Sequence, residues 1–589
     1  MMHTTREISP TVFADARSRG LSAVAARILA GRLSEATRLD AVIAPQLANI
    51  PPPSKLQDAD RAIARLARAV TDHESIGVLT DYDADGLTSH AVLTHALVRF
   101  GVAEDRISHW IGHRLEDGYG ISGTLVDRLL ESVDQPTVVI SADCGSSDEP
   151  HIARLKAAGI DVIVTDHHRV SDAGPPVSAY AVVNPSRSDC EYPDQAIAGC
   201  MVSWLVMSGL RQVLIAQGVL GESCPKLGDL LDYVALGTVA DCVSLGDSEI
   251  NRAVVNAGLQ YIKARRRPCW DVAATHLTRA DRDISSEWLA FQLAPRLNAR
   301  GRIDHSMLGF EFLWTDSRAD AESAFLQLDA DNKTRRALEK KMVETAKPLA
   351  RRSRVAGSHV ICLVLHDGHA GVQGIVASRL VEAEGVPALV LTPGSEPGTL
   401  TGSMRSIQGV DAKLLLDDVV SEVPQAILRY GGHTGACGLT LVEAELPSFS
   451  EALQRVFSSR YPSHPVAPRF ITDGTLLVED FSLERVHELE SLGPFGRGFE
   501  APVFDGVFEV LSSRQVGSDG THLSLEFSID GQTVRGIWFS AQPTGHPAAA
   551  SPGDWLQCVF GLSINTYRGL ELSITVRHGE VVTEGVIDG

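Results

Sequence analysis

No two cysteines in this chain have the C-x-x-C spacing. The nine that occur are scattered over 589 residues, which argues against a structural zinc site or a disulfide framework and suits a reducing compartment. No run of about 18 apolar residues offers a membrane span. The opening "MMHTTREISP" lacks the basic-then-apolar pattern of a signal peptide, so a cytoplasmic location away from membranes is the expectation. An excess of basic residues is missing too: 53 Lys and Arg stand against 74 Asp and Glu, a net charge of -21. Diffuse, charge-driven attraction to nucleic acid is thereby disfavoured, while a local basic groove is not. Internal repeats and low-complexity tracts are also lacking.

The hydrophobic fraction of 44% and the length predict two to four domains. From about residue 75 to 185, short runs rich in Val and Ile ("SIGVLT", "TVVISADCG", "DVIVTDHH", "AYAVVNP") alternate with helix-like segments. That pattern predicts βαβ units in a mainly parallel sheet. Residues 196 to 350 read as largely helical, ending in a long helix or helix pair without glycine and without proline until Pro348. A second α/β segment begins near "VICLVLHDG". Beyond the proline-spaced "SRYPSHPVAPRF", short alternating strands predict an all-β region, a small barrel.

The most unusual stretch is "VLTDYDADGLTSH", in which Asp81, Asp83 and Asp85 stand at alternate positions after an apolar run. Carboxylates so close raise one another's pKa unless a counter-charge intervenes. One reading has them cap the helix that follows; the other has them hold a divalent cation. Asp143 in "SADCG", Asp166, His167 and His168 in "VTDHH", and Asp241 in "ALGTVADC" favour the cation. Polar groups just past parallel strands share one crevice, and carboxylate and imidazole without thiolate suit Mn²⁺ or Mg²⁺. There are enough ligands for two ions, the arrangement of phosphoryl ester hydrolysis.

These segments resemble the four motifs of the DHH phosphoesterase family. "RLEDGYGIS", "APRLNARGRID", "GVQGIVASRL", "GSMRS", "GGHTGACG" and "LGPFGRGFEAPVF" extend the resemblance, in order, to the bacterial RecJ-type single-stranded DNA exonucleases, from about residue 50 onward. The resemblance implies an α/β fold: an N-terminal extension (1–50), a DHH catalytic domain with a parallel sheet (51–315), a connecting helix (316–352), a DHHA1-like substrate-binding domain (353–464) and a C-terminal OB-fold (465–589). It implies that Asp83, Asp85, Asp143, His167 and Asp241 ligate the metals, Asp143 bridging them, with Asp81 in support. His168 would meet the scissile phosphate and Asp166 would orient its neighbours. Arg114, Arg296, Ser403, Arg405 and His433 would contact substrate.

The implied activity is 5′ to 3′ digestion of single-stranded DNA to 5′-mononucleotides in repair or recombination, with single-strand binding protein or a helicase as candidate partners. A phosphodiesterase of short oligonucleotides or cyclic dinucleotides is the alternative, and a catalytically dead DNA-binding scaffold the third reading. In the barrel, Trp538, Phe539, Phe560 and Tyr567 are candidate stacking platforms, with Arg514, Arg535 and Arg568 beside them; "KARRRP" and "NKTRRALEKK" are local basic runs. The chain departs from the family's usual pattern at Gly368 (Trp expected), Cys437 (Ala), Phe499 (Asn) and Ser244 (Pro).

Overall fold

The computed structural model describes residues 3–35, 39–114, 116–171, 173–278, 284–467, 470–518, 520–542, 547–565 and 570–582. They form two compact units. One runs from Thr5 to Leu328 and resumes at Thr472; the other holds Asp329–Ile471.

In the first unit, five apolar runs become β1 (Ile76–Thr80), β2 (Ile107–Ile111), β3 (Val138–Ala142), β4 (Asp161–Thr165) and β5 (Ala181–Val183). All pair in parallel, in the order β2-β1-β3-β4-β5. β1 and β3 are buried along their whole length, as strands covered on both faces must be. The chain leaves β1 to one side for β2 and then crosses to β3 on the other side. The crevice at the carboxyl ends of β1 and β3 is therefore the switch point where ligands bind in such sheets. Register sharpens this: Thr80 pairs with Ala142, and Ala142 with Thr165. Asp81, Asp143 and Asp166 consequently leave the sheet at one level.

The helix Gly199–Ala216 is apolar and long enough to cross a membrane by composition, which the absence of an 18-residue apolar run did not lead us to expect. Its apolar residues instead pack into the core with those of the helices Ala59–Thr71, Ala84–Arg99 and Leu231–Ala240. Residues near the N-terminus join this core as well. Ile28 and Leu29 are fully buried, and Arg32 makes two buried bonds to Asp473, at 2.6 and 2.9 Å.

The same unit contains a closed barrel of β11 (Phe504–Val516), β12 (His522–Ile529), β13 (Gln532–Trp538), β14 (Trp555–Asn565) and β15 (Glu571–Val582), ordered β11-β12-β13-β15-β14. Leu523, Leu525, Phe527 and Ile529 alternate into its core, the period-two pattern expected of a half-buried strand. Of the candidate platforms, Trp538 and Phe560 belong to that core, whereas Phe539 is 52% exposed. Arg514 is exposed, Arg535 pairs with Glu526 and Glu571, and Tyr567 and Arg568 lie outside the described residues.

The second unit is a five-stranded sheet: β6 (Ile361–Val364), β7 (Ala388–Pro393), β8 (Thr399–Arg405), β9 (Ile427–His433) and β10 (Ala436–Val442), ordered β9-β10-β8-β7-β6. The segment read as a helix or helix pair is one helix, Arg318–Val355, which continues through Pro348. Arg335 in its basic run bonds Asn332 and Glu339.

The other basic run serves the fold through one arginine. Arg267 bonds the buried Asp232 at 2.7 Å, and Asp232 also accepts from Trp270 Nε1 at 2.7 Å and from the Tyr233 N–H at 2.8 Å. This knot ties the helix Pro268–Leu277 to Leu231–Ala240, the helix that ends at Asp241. Asp232→Ala leaves Arg267 with Asp229 as its remaining carboxylate partner, at 3.0 Å, and the buried Trp270 indole N–H without its acceptor, and is expected to cost roughly 1–3 kcal/mol. A thermal melt checks this; an unchanged midpoint would contradict it.

Candidate metal centre

Asp81, Asp83 and Asp85 occupy the turn from β1 into the helix Ala84–Arg99, where Asp83 caps the helix and all three belong to acidic groupings. Asp83 Oδ1 accepts the N–H of Asp85 at 2.9 Å and of Gly86 at 3.1 Å, capping the helix. Its carboxylate also lies in a grouping with Asp81 and Asp143. Asp85 is buried, and its carboxylate accepts the N–H groups of Gly199 (2.7 Å) and Cys200 (3.2 Å) at the start of another helix. Two helix N-termini thus direct positive partial charge at the acids. Asn298 Oδ1 fixes the turn by accepting the Ala84 N–H at 2.7 Å.

Asp143 follows β3 with φ of 60°, a left-handed conformation uncommon for a residue other than glycine and recurrent at functional sites. His167 Nε2 lies 3.2 Å from Asp143 Oδ1, 3.6 Å from Asp241 Oδ2 and 3.9 Å from Asp85 Oδ2. Three overlapping groupings result: Asp143 with His167 and His168, Asp85 with His167 and Asp241, and Asp81 with Asp83 and Asp143. The structure therefore brings together all eight residues expected around the metals, Asp166 included.

Burial pushes the Asp143 carboxyl well up, and Asp85, Asp83, Asp241 and Asp81 push it further. Burial likewise raises Asp81, with Asp83 adding to it, and raises Asp241, with Asp85 and Asp83 adding. Burial also outweighs His167 in raising Asp85. Asp81 Oδ1 is buried without a hydrogen-bond partner. An orphaned oxygen among mutually repelling carboxylates, with imidazole and no thiolate, fits hard divalent cations such as Mn²⁺ or Mg²⁺.

The two histidines are driven apart. Burial, then the neighbouring His168, lowers His167 and favours the neutral imidazole that can ligate a metal. For His168 burial acts downward as well, but the hydrogen bond and charge of Asp166 outweigh it and raise the group to about 9. Asp166 organises the whole turn. Its carboxylate accepts from the N–H groups of His167 (2.7 Å), His168 (3.1 Å) and Ser146 (3.0 Å) and lies 2.9 Å from His168 Nδ1. Although burial opposes it, the His168 contacts hold Asp166 below the ordinary carboxylate range.

Some contributors were not expected from sequence. The Tyr119 hydroxyl lies 2.9 Å from His168 Nδ1 and donates to the Asp143 carbonyl at 3.2 Å. Asn184 bonds the His168 carbonyl at 2.8 Å and Ser186 the His167 carbonyl at 2.8 Å. The "DGYG" and "NPS" turns that hold these residues were their only signal.

Of the expected substrate contacts, Arg114 sits 4.5 Å over the Tyr82 ring and acts on Asp81. Arg296 meets the Gln292 carbonyl and the Phe325 ring. Within the second unit, Arg405 bonds Ser403 Oγ at 2.8 Å. Its guanidinium occupies space at the start of the helix Gln373–Glu384 that only a glycine, Gly374, leaves open. His433 ends β9 in the same sheet, opposite Ala436, which in turn pairs with Arg405.

A parallel sheet whose switch point gathers five aspartates and a D-H-H turn defines a DHH phosphoesterase. Protein-family models agree along the chain: the DHH family N-terminal domain matches residues 75–238, the DHHA1 domain 357–459 and the RecJ OB domain 472–578. The single-stranded-DNA-specific exonuclease RecJ of Haemophilus influenzae is 32% identical over 540 residues, 90% of this chain and 92% of that protein. Its Salmonella typhimurium counterpart is 34% identical over 88% and 89%. The crystal structure of RecJ in complex with Mn²⁺ from Thermus thermophilus superposes with a TM-score of 0.79 at 26% identity, covering 99% of this chain and 80% of that one. The chain belongs to the RecJ family.

The His168–Asp166 pair has a measurable signature. In the metal-free protein His168 keeps its proton up to pH about 9. The stability this pairing contributes is complete below the ordinary imidazole value near 6.5 and is lost as pH rises through 9. Asp166→Asn is expected to bring the His168 midpoint down by about 1 to 3 pH units, followed by imidazole NMR. An unmoved midpoint would show that another group holds the proton.

Proposed function

We propose that this chain is a divalent-metal-dependent exonuclease of single-stranded DNA that works from the 5′ end and releases 5′-mononucleotides. The observation that carries the reading is the convergence of five aspartates with a neutral His167 and a protonated His168 at the switch point of the sheet. Asp83, Asp85, Asp143, His167 and Asp241 would hold two cations, Mn²⁺ or Mg²⁺, and Asp143 is the one carboxylate common to two of the groupings. When bound, such ions activate water for attack on phosphorus and stabilise the leaving oxygen.

The remaining work falls to the chain's own groups. Asp81 adds a carboxylate beside Asp83. His168, held charged by Asp166 and aligned by Tyr119, donates to a non-bridging oxygen of the scissile phosphate, where negative charge grows in the transition state. Arg114 and Arg296 of the DHH region, and Ser403, Arg405 and His433 of the DHHA1 region, bind phosphates of the strand, the guanidinium groups in the forked geometry that suits them. Exposed Phe539 offers a ring to a base. We keep 1–50, 51–315, 316–352, 353–464 and 465–589 as working domain limits. A strand-degrading enzyme of this kind acts in repair or recombination in the cytoplasm, where single-strand binding protein or a helicase would supply its substrate.

The test is a time course on a 5′-phosphorylated single-stranded oligonucleotide with Mn²⁺ or Mg²⁺, with a duplex and a dinucleotide as competing substrates. Mononucleotides released from the 5′ end, absent with Asp143→Ala, are expected. His168→Ala is expected to lower kcat by about 10²–10³-fold. Cleavage of the dinucleotide alone would replace this reading with a short-oligonucleotide phosphodiesterase.

A further inference from the structure

The segment that leads into the barrel, "LGPFGRGFEAP", returns to the metal centre before the barrel begins. Gly496 and Phe499 exchange both backbone hydrogen bonds, at 3.0 and 3.1 Å, and so form a tight hairpin with Arg497 and Gly498 at its tip. Gly498 has φ of 74°, the value a type II turn requires at that corner. The hairpin lies flush against residues 244–246. Leu245 N–H donates to the Arg497 carbonyl at 2.8 Å, and a Cβ on Gly498 would strike Ser244 while one on Gly246 would strike the Gly498 carbonyl. Residues 244–246 come three to five positions after Asp241, at the end of the helix that delivers that ligand.

The seat of this hairpin is unusually well built. Arg252 is 1% exposed, and its guanidinium meets carbonyl oxygens only: Leu492 (2.5 Å), Pro494 (2.9 Å), Gly493 (3.0 Å) and Val42 (3.3 Å). It also lies 4.2 Å over the Phe499 ring. Burying a guanidinium without a carboxylate is costly, and here four hydrogen bonds offset that cost, three of them to the segment before the hairpin. Phe499 is fully buried, Phe495 stacks on it with centroids 5.9 Å apart, and Ser286 Oγ donates to the Phe495 carbonyl at 2.7 Å.

What the seat presents is Arg497. Its side chain is exposed and has no ion pair among the described residues. It is close enough to Asp241 and Cys242 to act on both. An arginine held by its backbone beside the helix that ends at Asp241, without a carboxylate partner among the described residues, is well suited to a phosphate.

We propose that Arg497 binds a backbone phosphate of the single strand at the rim of the metal centre, presented there by the hairpin that leads into the barrel. The inference rests on the proposed function for its ligand, a single-stranded DNA, but not on cleavage. A strand engaged by the barrel and by the metal centre would be held by Arg497 between them.

The test is binding of a fluorescein-labelled oligo(dT) strand in EDTA, followed by anisotropy over a range of salt concentrations, for the wild type, Arg497→Ala and Arg497→Lys. Arg497→Ala is expected to weaken binding roughly ten-fold and to reduce the slope of log K against log salt by about 0.7, the contribution of one phosphate contact on a single strand. Arg497→Lys is expected to keep the slope and recover part of the affinity. Melting temperatures should not move, because the side chain is exposed. Unchanged affinity and slope in Arg497→Ala would overturn the inference, as would equal losses in both variants. A wild type that binds the strand in EDTA yet releases no nucleotide once Mn²⁺ is supplied would overturn the proposed activity alone, and one that does not bind it would overturn both.

Discussion

Negative charge confined at the carboxyl end of a parallel sheet is the constraint around which this molecule is organised. Asp81, Asp143 and Asp166 leave β1, β3 and β4 at one level because Thr80, Ala142 and Thr165 are in register, and Asp83, Asp85 and Asp241 are carried in on helix ends. Much of the surrounding structure can be understood as a response. Two helix N-termini donate to Asp83 and Asp85, Asn298 holds the turn between strand and helix, and Asp232 with Arg267 anchors the helix that ends at Asp241. Those measures position the carboxylates without neutralising them. Four remain shifted upward by burial and by one another, so the site is chemically complete only with cations bound.

The two histidines show how adjacent residues of one type acquire opposite properties. His167 points at Asp143, Asp241 and Asp85 and is held neutral, whereas His168 leans on Asp166 and is held charged. One is then suited to ligate a cation and the other to meet a phosphate. Asp166 makes this division possible by spending its carboxylate on three backbone N–H groups and one imidazole.

Strand ends in an α/β sheet are regular enough that acids placed after apolar runs could be assigned to one crevice before any coordinates. The same regularity made the five-stranded barrel legible from alternation in "THLSLEFSI". Contacts that join distant segments left no such trace. Asn298 reaches Ala84 across 214 positions, and Tyr119 meets His168 through a turn whose glycines were the only hint. Tertiary pairing decides what local patterns leave open. Arg267 of the basic run "KARRRP" is committed to Asp229 and Asp232, and of the candidate stacking platforms Trp538 and Phe560 went to the barrel core. Asp83 read as a helix cap or as a cation ligand, and the structure gives it the cap while placing it beside Asp81 and Asp143.

The most direct test of this account is calorimetric titration of the metal-free protein with Mn²⁺ in two buffers of different ionisation enthalpy, at neutral and mildly acidic pH. Carboxyls raised by burial and mutual repulsion must lose protons when a cation replaces them. The account therefore predicts proton release that grows as pH falls, and loss of tight binding in Asp143→Ala. Tight binding with no proton release, or Mn²⁺ binding that survives the loss of Asp143 unchanged, would contradict it.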